Sequence, residues 1–282
     1  MIFKKLYIKV IYKIIIKSKI LKYLKSQDTL NEEQKEVQTF LENNPCHTYP
    51  YEFVKQYSMS GIKVLTDDSC GLKYVMSAGK RLYFKRAWSD SKIRRCYKNI
   101  SLEQDPQSPH CYITPYFNVD KDDHVMDVGC AEANFSLSIV DKVSHISLFE
   151  VDEQWIEALN MTFKPWKDKV TIINRYVSDT TDSSNITIDD YVSQGNPISF
   201  IKADVEGAEE IVLSGAKEFF KSPQKLKVAV TTYHKQQHAN IIHKILTDAG
   251  LKCSYSKGYM ILKNQGNLVE PYLRKGLIYA TK

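Results

Sequence analysis

Glycine is scarce where a nucleotide-binding loop would need it, acidic residues are missing from the first 26 positions, and the amino-terminal segment contains no long apolar run. Each absence excludes something. The six cysteines, at 46, 70, 96, 111, 130 and 253, form no CxxC pair and show no zinc-like spacing. A disulfide scaffold and a zinc ribbon are therefore excluded, and free thiols in a reducing cytoplasm are expected. Cys130 is expected to be a small buried packing residue rather than a reactive thiol. No segment repeats with a period of about 20–50 residues and none is low-complexity, which excludes solenoids and disordered tails.

The first 25 residues hold eight lysines, at 4, 5, 9, 13, 17, 19, 22 and 25, and no acid. Subtracting them from the net charge of +6 leaves −2 for the rest, so the body is mildly acidic and no nucleic-acid partner is expected. The longest apolar runs in this segment, Val10–Tyr12 and Ile14–Ile16, are three residues each. That is far short of the ~20 a membrane span needs, and no small-residue cleavage site follows. Lys5, Lys9, Lys13 and Lys17 step along one helical face. Two readings stand: a helix lying on an anionic membrane surface, on the inner face of a cytoplasmic membrane, or one packed on the protein body or on a second copy in a homo-oligomer.

Residues 31–44 read as a second helix, stopped at Asn43-Asn44-Pro45. Strands are expected at Ile62–Thr66, Leu72–Met76 and Arg81–Lys85, the last two joined by a Ser77-Ala78-Gly79-Lys80 turn. A helix follows at Ser89–Glu103, and Asp105-Pro106 with Ser108-Pro109 marks a boundary loop. Three segments result: 1–45, 46–118 as an accessory region able to cover an acceptor site, and 119–282 as the catalytic domain.

That last segment alternates strands at His124–Val128, His145–Glu150, Val170–Asn174, Ile198–Ala203 and Leu226–Thr232 with helices at Ala131–Asp141, Glu153–Phe163, Gly207–Lys221 and Lys235–Ala249. Two more strands, near Leu251–Lys263 and Gly276–Thr281, close the chain. Alternation of this kind implies an α/β fold with a doubly wound, mostly parallel sheet and ligands at the carboxyl ends of its strands. Three of those ends are acidic: Asp127 before Gly129, Glu150 with Asp152, and Asp204 with Glu206. Helix capping accounts for one such acid, not for three around one crevice.

These residues resemble the FkbM-type methyltransferases, whose glycine loop, second strand and fourth strand are matched here by Asp127–Asn134, Phe149–Asp152 and Ile201–Glu209, with Thr187–Tyr191 as a further element. The chain departs from the pattern at Ala133, where the family usually has Gly, and at Val151, where it usually has Pro. The resemblance implies a Rossmann-like class I methyltransferase with C-terminal antiparallel strands, preceded by a helical and hairpin extension, and S-adenosyl-L-methionine as cofactor. It places Asp127, Gly129 and Ala131 around the methionine part and Glu150 on the ribose, with Asn134 also among the cofactor-binding residues. Ser178 and Asp179 would face the adenine, with Asp204 and Glu206 near the reacting centre. It further implies O-methylation of a small-molecule, sugar or glycan acceptor.

Moving a methyl group to a hydroxyl requires alignment of the reactants and a base for the proton. Asp204 and His234 are the candidates, the latter at the end of the fifth strand. His234 and His238 also stand at helical HxxxH spacing, but no third ligand lies nearby in sequence and no metal is expected. A nicotinamide oxidoreductase would need G-x-G-x-x-G, and only Gly129 is present. A membrane-attached binding module that has lost its chemistry is the other alternative, distinguishable by cofactor binding.

Overall fold

The computed structural model describes residues 2–262 and 268–282, with side chains from residue 14 onward. Helices α1 (Ile2–Lys25) and α2 (Glu32–Asn43) come first, followed by a small antiparallel sheet of β1 (Leu65–Thr66), β2 (Lys73–Ser77) and β3 (Lys80–Tyr83), then α3 (Asp90–Glu103). The alternating region comprises β4 (His124–Val128), α4 (Asn134–Ile139), β5 (His145–Phe149), α5 (Glu153–Thr162) and β6 (Val170–Ile173). A short pair, β7 (Tyr176–Val177) and β8 (Asn185–Ile186), leads to α6 (Ile188–Ser193), β9 (Phe200–Ala203), α7 (Glu209–Ser214) and β10 (Lys227–Thr231). Last come α8 (His238–Asp248), β11 (Lys252–Tyr255) and β12 (Leu277–Thr281).

Seven strands form the main sheet in the order β11-β12-β10-β9-β4-β5-β6. All neighbours from β10 to β6 run parallel, and β12 is antiparallel to both β10 and β11. The winding reverses between β4 and β9, so their carboxyl ends diverge into a crevice, the usual ligand position in an open α/β sheet. The two-residue period of the strands sorts their side chains onto two faces. Val125, Ile146, Leu148 and Phe200 enter one core with Phe135, Leu137 and Trp155. Met126, Val128, Ile201, Val228 and Val230 enter the other with Val212, Ile242 and Leu246. Because both faces are covered, β9 and most of β10 are buried throughout rather than alternating with solvent.

The accessory region packs into the first of these cores through Leu72, Val75, Leu82, Phe84 and Ile93. Thr162 Oγ1 accepts a hydrogen bond from the Tyr83 amide (3.1 Å), Arg86 pairs with Glu157 at 2.6 Å, and Lys85 pairs with Asp152. The hairpin turn is where the turn residues place it, since Ala78 and Gly79 both take positive φ, as a two-residue hairpin requires.

At the amino terminus, Ile16, Ile20 and Leu24 are buried against Val37, Phe40, Leu41, Ile261 and Leu273. The second half of α1 is therefore packed on the body, while Ile14 and Ile15 are exposed. The expected lysine row at 5, 9 and 13 lies outside the described side chains, as does the strand end at Lys263.

Several boundaries differ from the sequence reading. The strand expected at Ile62–Thr66 is only Leu65–Thr66. The helix expected from Ala131 starts at Asn134, because Ala131 and Ala133 are both left-handed (φ 47° and 56°). The helix expected at Gly207–Lys221 breaks after Ser214, where Gly215 presses on β7's continuation; a Cβ there would meet the Ser178 carbonyl oxygen at 2.1 Å. The strand expected to reach Lys263 ends at Tyr255. The β7–β8 pair and α6 were not foreseen; two residues per strand give no readable period.

Candidate active site

Where β4 and β9 part, two turns face each other. Val128 and Ala203 are paired, and the Asp204 amide continues the ladder to the Val128 carbonyl at 3.1 Å. Gly129 follows with φ +69°, and any Cβ on it would lie 2.2 Å from the Asp204 carbonyl oxygen. Only glycine fits so close a crossing. The chain then passes through the left-handed Ala131 and Ala133, while on the other side Glu206 is left-handed as well (φ 54°). Non-glycine residues rarely occupy this region, and such outliers concentrate at functional loops.

A cavity of about 160 Å³ lies between these turns. Asp127, Gly129, Ala131 and Asn134 line it from the glycine loop, Asp204 and Glu206 from the β9 turn, so six of the expected residues meet in one place. Helix α3 and the loop after it close it with Ile100, Glu103, Gln104 and Tyr112. Five carboxylates (Glu103, Asp127, Glu132, Asp204, Glu206) stand against one ammonium, that of Lys202.

Lys202 and Asp127 are fully enclosed and 2.9 Å apart. Burial would lower the lysine, but Asp127 and Asp204 outweigh it and its pKa is raised. Lys202 also donates to the Gly129 carbonyl at 2.8 Å, and Ser136 Oγ donates to Asp127 at 2.6 Å. Asp127 thus holds the loop from below, through its ion pair with Lys202 and its hydrogen bond from Ser136. Cys130 is buried, and that burial keeps its thiol well above the usual range, consistent with a packing role.

Asp204 has partners at both carboxylate oxygens. Tyr112 Oη donates to its Oδ2 at 2.7 Å, His110 Nε2 lies 3.4 Å from Oδ2, and His234 Nε2 lies 3.6 Å from Oδ1. Burial would raise its pKa, but the hydrogen bond and charge of His110, with Lys202 and His234, hold the carboxyl well below its ordinary range. Burial beside this carboxylate keeps Tyr112 protonated, a permanent donor. Capping is not its role: α7 begins at Glu209 with no side-chain cap, and it is Glu209 that accepts from the Val205 amide at 3.0 Å.

Four expected residues do not line the cavity: His234, which reaches it only through Asp204, and Glu150, Ser178 and Asp179. Glu150 turns its carboxylate onto the loops, accepting from the Ala131 amide at 3.0 Å and from the Val151 and Asp152 amides at 2.8 Å each. Ser178 and Asp179 follow β7, with the Ser178 carbonyl against Gly215. Conversely, Lys202, His110, Tyr112, Tyr233 and Glu132 were not singled out in the sequence. His110 and Tyr112 sit in an irregular loop without periodicity, and His110 Nε2 reaches Tyr233 Oη at 3.0 Å only through the fold.

A mostly parallel sheet with antiparallel closing strands, a one-glycine loop at the switch point and an acidic cavity beneath it define a Rossmann-like methyltransferase architecture. The chain belongs to the methyltransferase FkbM domain family, whose model matches residues 86–256. Among solved structures it is similar to a methyltransferase FkbM from Methylobacillus flagellatus KT, at 18% identity and a TM-score of 0.45. That match covers 68% of this chain and 55% of the other, so the chain spans little more than half the length of that relative. It is also similar to a precorrin-6Y C5,15-methyltransferase from Geobacter metallireducens GS-15 (12% identity, 73% of this chain, 95% of that one, TM-score 0.40). A precorrin 8W decarboxylase from Methanobacterium thermoautotrophicum matches at 16% identity over 58% of this chain and 82% of that one, with a TM-score of 0.40. No curated protein sequence matches the chain.

Proposed function

We propose that this protein transfers a methyl group from S-adenosyl-L-methionine to a hydroxyl of a sugar, glycan, glycolipid or secondary metabolite. The observation that carries the reading is the acidic cavity at the switch point, lined by five carboxyl groups of which Asp127 is paired with Lys202 and Asp204 is held ionised. That donor set suits a ligand bearing an ammonium and a sulfonium, and it would repel a pyrophosphate, which disfavours a nicotinamide cofactor. A volume of about 160 Å³ is below the ~300 Å³ of the smallest typical ligand pockets. The cavity therefore takes the methionine end, with the adenosine directed toward Glu150, Ser178 and Asp179.

The cofactor supplies the electrophilic methyl, and the protein's task is to align and deprotonate the acceptor. Asp204, held ionised, accepts the hydrogen bond of the acceptor hydroxyl. So strongly depressed a carboxylate does not keep a proton near neutrality, and the proton passes to a flanking histidine, His110 or His234. Tyr112 fixes the second carboxylate oxygen. Helix α3, through Ile100 and Glu103, makes the accessory region the cover of the site.

Location belongs to the same proposal. Among the described residues no helix is long and apolar enough to cross a membrane. Exposed Ile14 and Ile15 beside Lys17, Lys22 and Lys25 support a surface helix on the cytoplasmic face of an anionic membrane.

Calorimetric titration with S-adenosylhomocysteine tests the cofactor. Binding is expected in the wild type and at least tenfold weaker in Glu150→Ala, which removes a ribose acceptor and also frees the Ala131, Val151 and Asp152 amides it holds; charge-assisted hydrogen bonds to a carboxylate contribute about 1.5–3 kcal/mol. Absence of wild-type binding would sink the reading and favour an inactive module.

A further inference from the structure

Behind Asp204 the fold gathers three side chains that the sequence holds apart. Glu209 opens α7, His234 follows β10, and His238 opens α8. One potential ligand atom from each comes within 4.8 Å of the others, and all three residues are buried. The Glu209 carboxylate is held by one oxygen only. Its Oε1 accepts from the Val205 amide at 3.0 Å and from Thr231 Oγ1 at 2.9 Å, while Oε2 is buried without a hydrogen-bond partner. His238 Nδ1 lies 3.5 Å from that Oε2, and His234 Nδ1 lies 3.0 Å from Oε1, neither in hydrogen-bond alignment. Buried polar atoms are nearly always satisfied, so a cluster of orphans converging on one point calls for a shared partner.

The opposite edges of both rings supply the second half of the pattern. His234 Nε2 is 3.6 Å from Asp204 and from Glu206, and His238 Nε2 is 3.1 Å from Glu210. Histidines that ligate a metal characteristically present the other ring N–H to a carboxylate, and ligating carboxylates are themselves pinned by hydrogen bonds. Here each ring has a carboxylate near its opposite edge, at contact distance and without hydrogen-bond alignment, and the Glu209 carboxylate is pinned through Oε1.

We propose that Glu209, His234 and His238 bind a divalent first-row metal ion of the zinc class, through Glu209 Oε2 and the Nδ1 atoms of the two histidines. Bonds of ~2.0–2.2 Å put tetrahedral ligands ~3.3 Å apart, so side-chain rotations of about an ångström complete the site. The ion ties the β10 end to α7 and α8, and it holds His234 with Nε2–H toward Asp204. In the metal-bound protein the proton acceptor beside Asp204 is then His110, a refinement that rests on the methyl-transfer reading; the metal site itself does not.

The test uses full-length protein stripped with a chelator and reloaded with Zn²⁺ or Co²⁺. One equivalent retained through gel filtration, a visible Co²⁺ spectrum of a low-coordinate nitrogen–oxygen site and a higher melting temperature are expected. His238→Asn and Glu209→Gln should each lower affinity more than tenfold, while His243→Gln, on the same helix but outside the cluster, should not change it. Glu210→Gln removes no ligand and should weaken binding about tenfold by loosening His238, which keeps the test decisive should a ligand variant fail to fold. Failure of the wild type to retain either ion, or equal affinity in wild type, His238→Asn and Glu210→Gln, would overturn the site whatever the outcome of cofactor titrations.

Discussion

Two carboxylates in the same cavity are set to opposite tasks by their neighbours. Asp204 is surrounded by donors and cations and stays ionised; Asp204→Asn keeps the shape but loses the anion. The acceptor hydroxyl then loses the anion that orients it beside the histidine, so turnover should fall by about 10²-fold or more, with the melting temperature little changed. Retained turnover with lowered stability would make Asp204 a structural residue only. Glu132 has the reverse setting: burial, reinforced by Glu103, pushes it up to about 7. Its folded pKa lies above the unfolded value, so the folded state binds the extra proton between about pH 4.5 and 7. Stability should therefore fall as pH rises through that window, by at most ~3.4 kcal/mol from this group. Glu132→Gln should flatten the fall in denaturant melts recorded at pH 5 and 8; an unchanged slope would place the carboxyl in solvent. Neither environment is readable from the residue itself, because His110, Tyr112 and Glu103 reach these acids across the fold.

At the scale of elements, the glycine loop owes its geometry to one tight crossing. Gly129→Ala forces a Cβ into the Asp204 backbone, so folding or S-adenosylhomocysteine binding should be lost. Ala133→Gly should do the opposite. Ala133 sits at φ 56°, a conformation costing an L-residue about 1–2 kcal/mol, offset in part by the ~0.4–1 kcal/mol entropic cost of glycine. A melting temperature equal to or above wild type is expected for that variant, and a clear loss of stability would show that the methyl group is needed for packing. Strand positions were legible because parallel strands buried on both faces read as apolar runs, and His124–Val128 matches its expectation. Helix starts were less legible. Ala131 and Ala133 are good helix formers by propensity, yet the close crossing at Gly129 drives both into left-handed turns, and the helix waits until Asn134.

Across the whole molecule, the basic amino terminus divides into two parts. Ile16, Ile20 and Leu24 belong to a core with α2 and the C-terminal loop, so removing residues 1–25 should expose that core and cause aggregation. Removing residues 1–13 takes away half of the lysines and leaves those packing residues in place. If the helix lies on an anionic surface, full-length protein should float with acidic vesicles at low salt and the 1–13 truncation should float less, since each lysine near the surface contributes about 1 kcal/mol. No flotation of the full-length protein at low salt would end the membrane reading. The alternating α/β order, the acidic strand ends and the family are legible in the chain alone, because these are written in local periodicity and in contiguous motifs. Folded packing pairs Asp127 with Lys202 and turns Glu150 toward its own loops. It alone united Glu209 with His234 and His238. Those partners lie on separate strands and helices: the pairing of β4 with β9 sets Asp127 beside Lys202, and the pairing of β9 with β10 brings Glu209 to the two histidines.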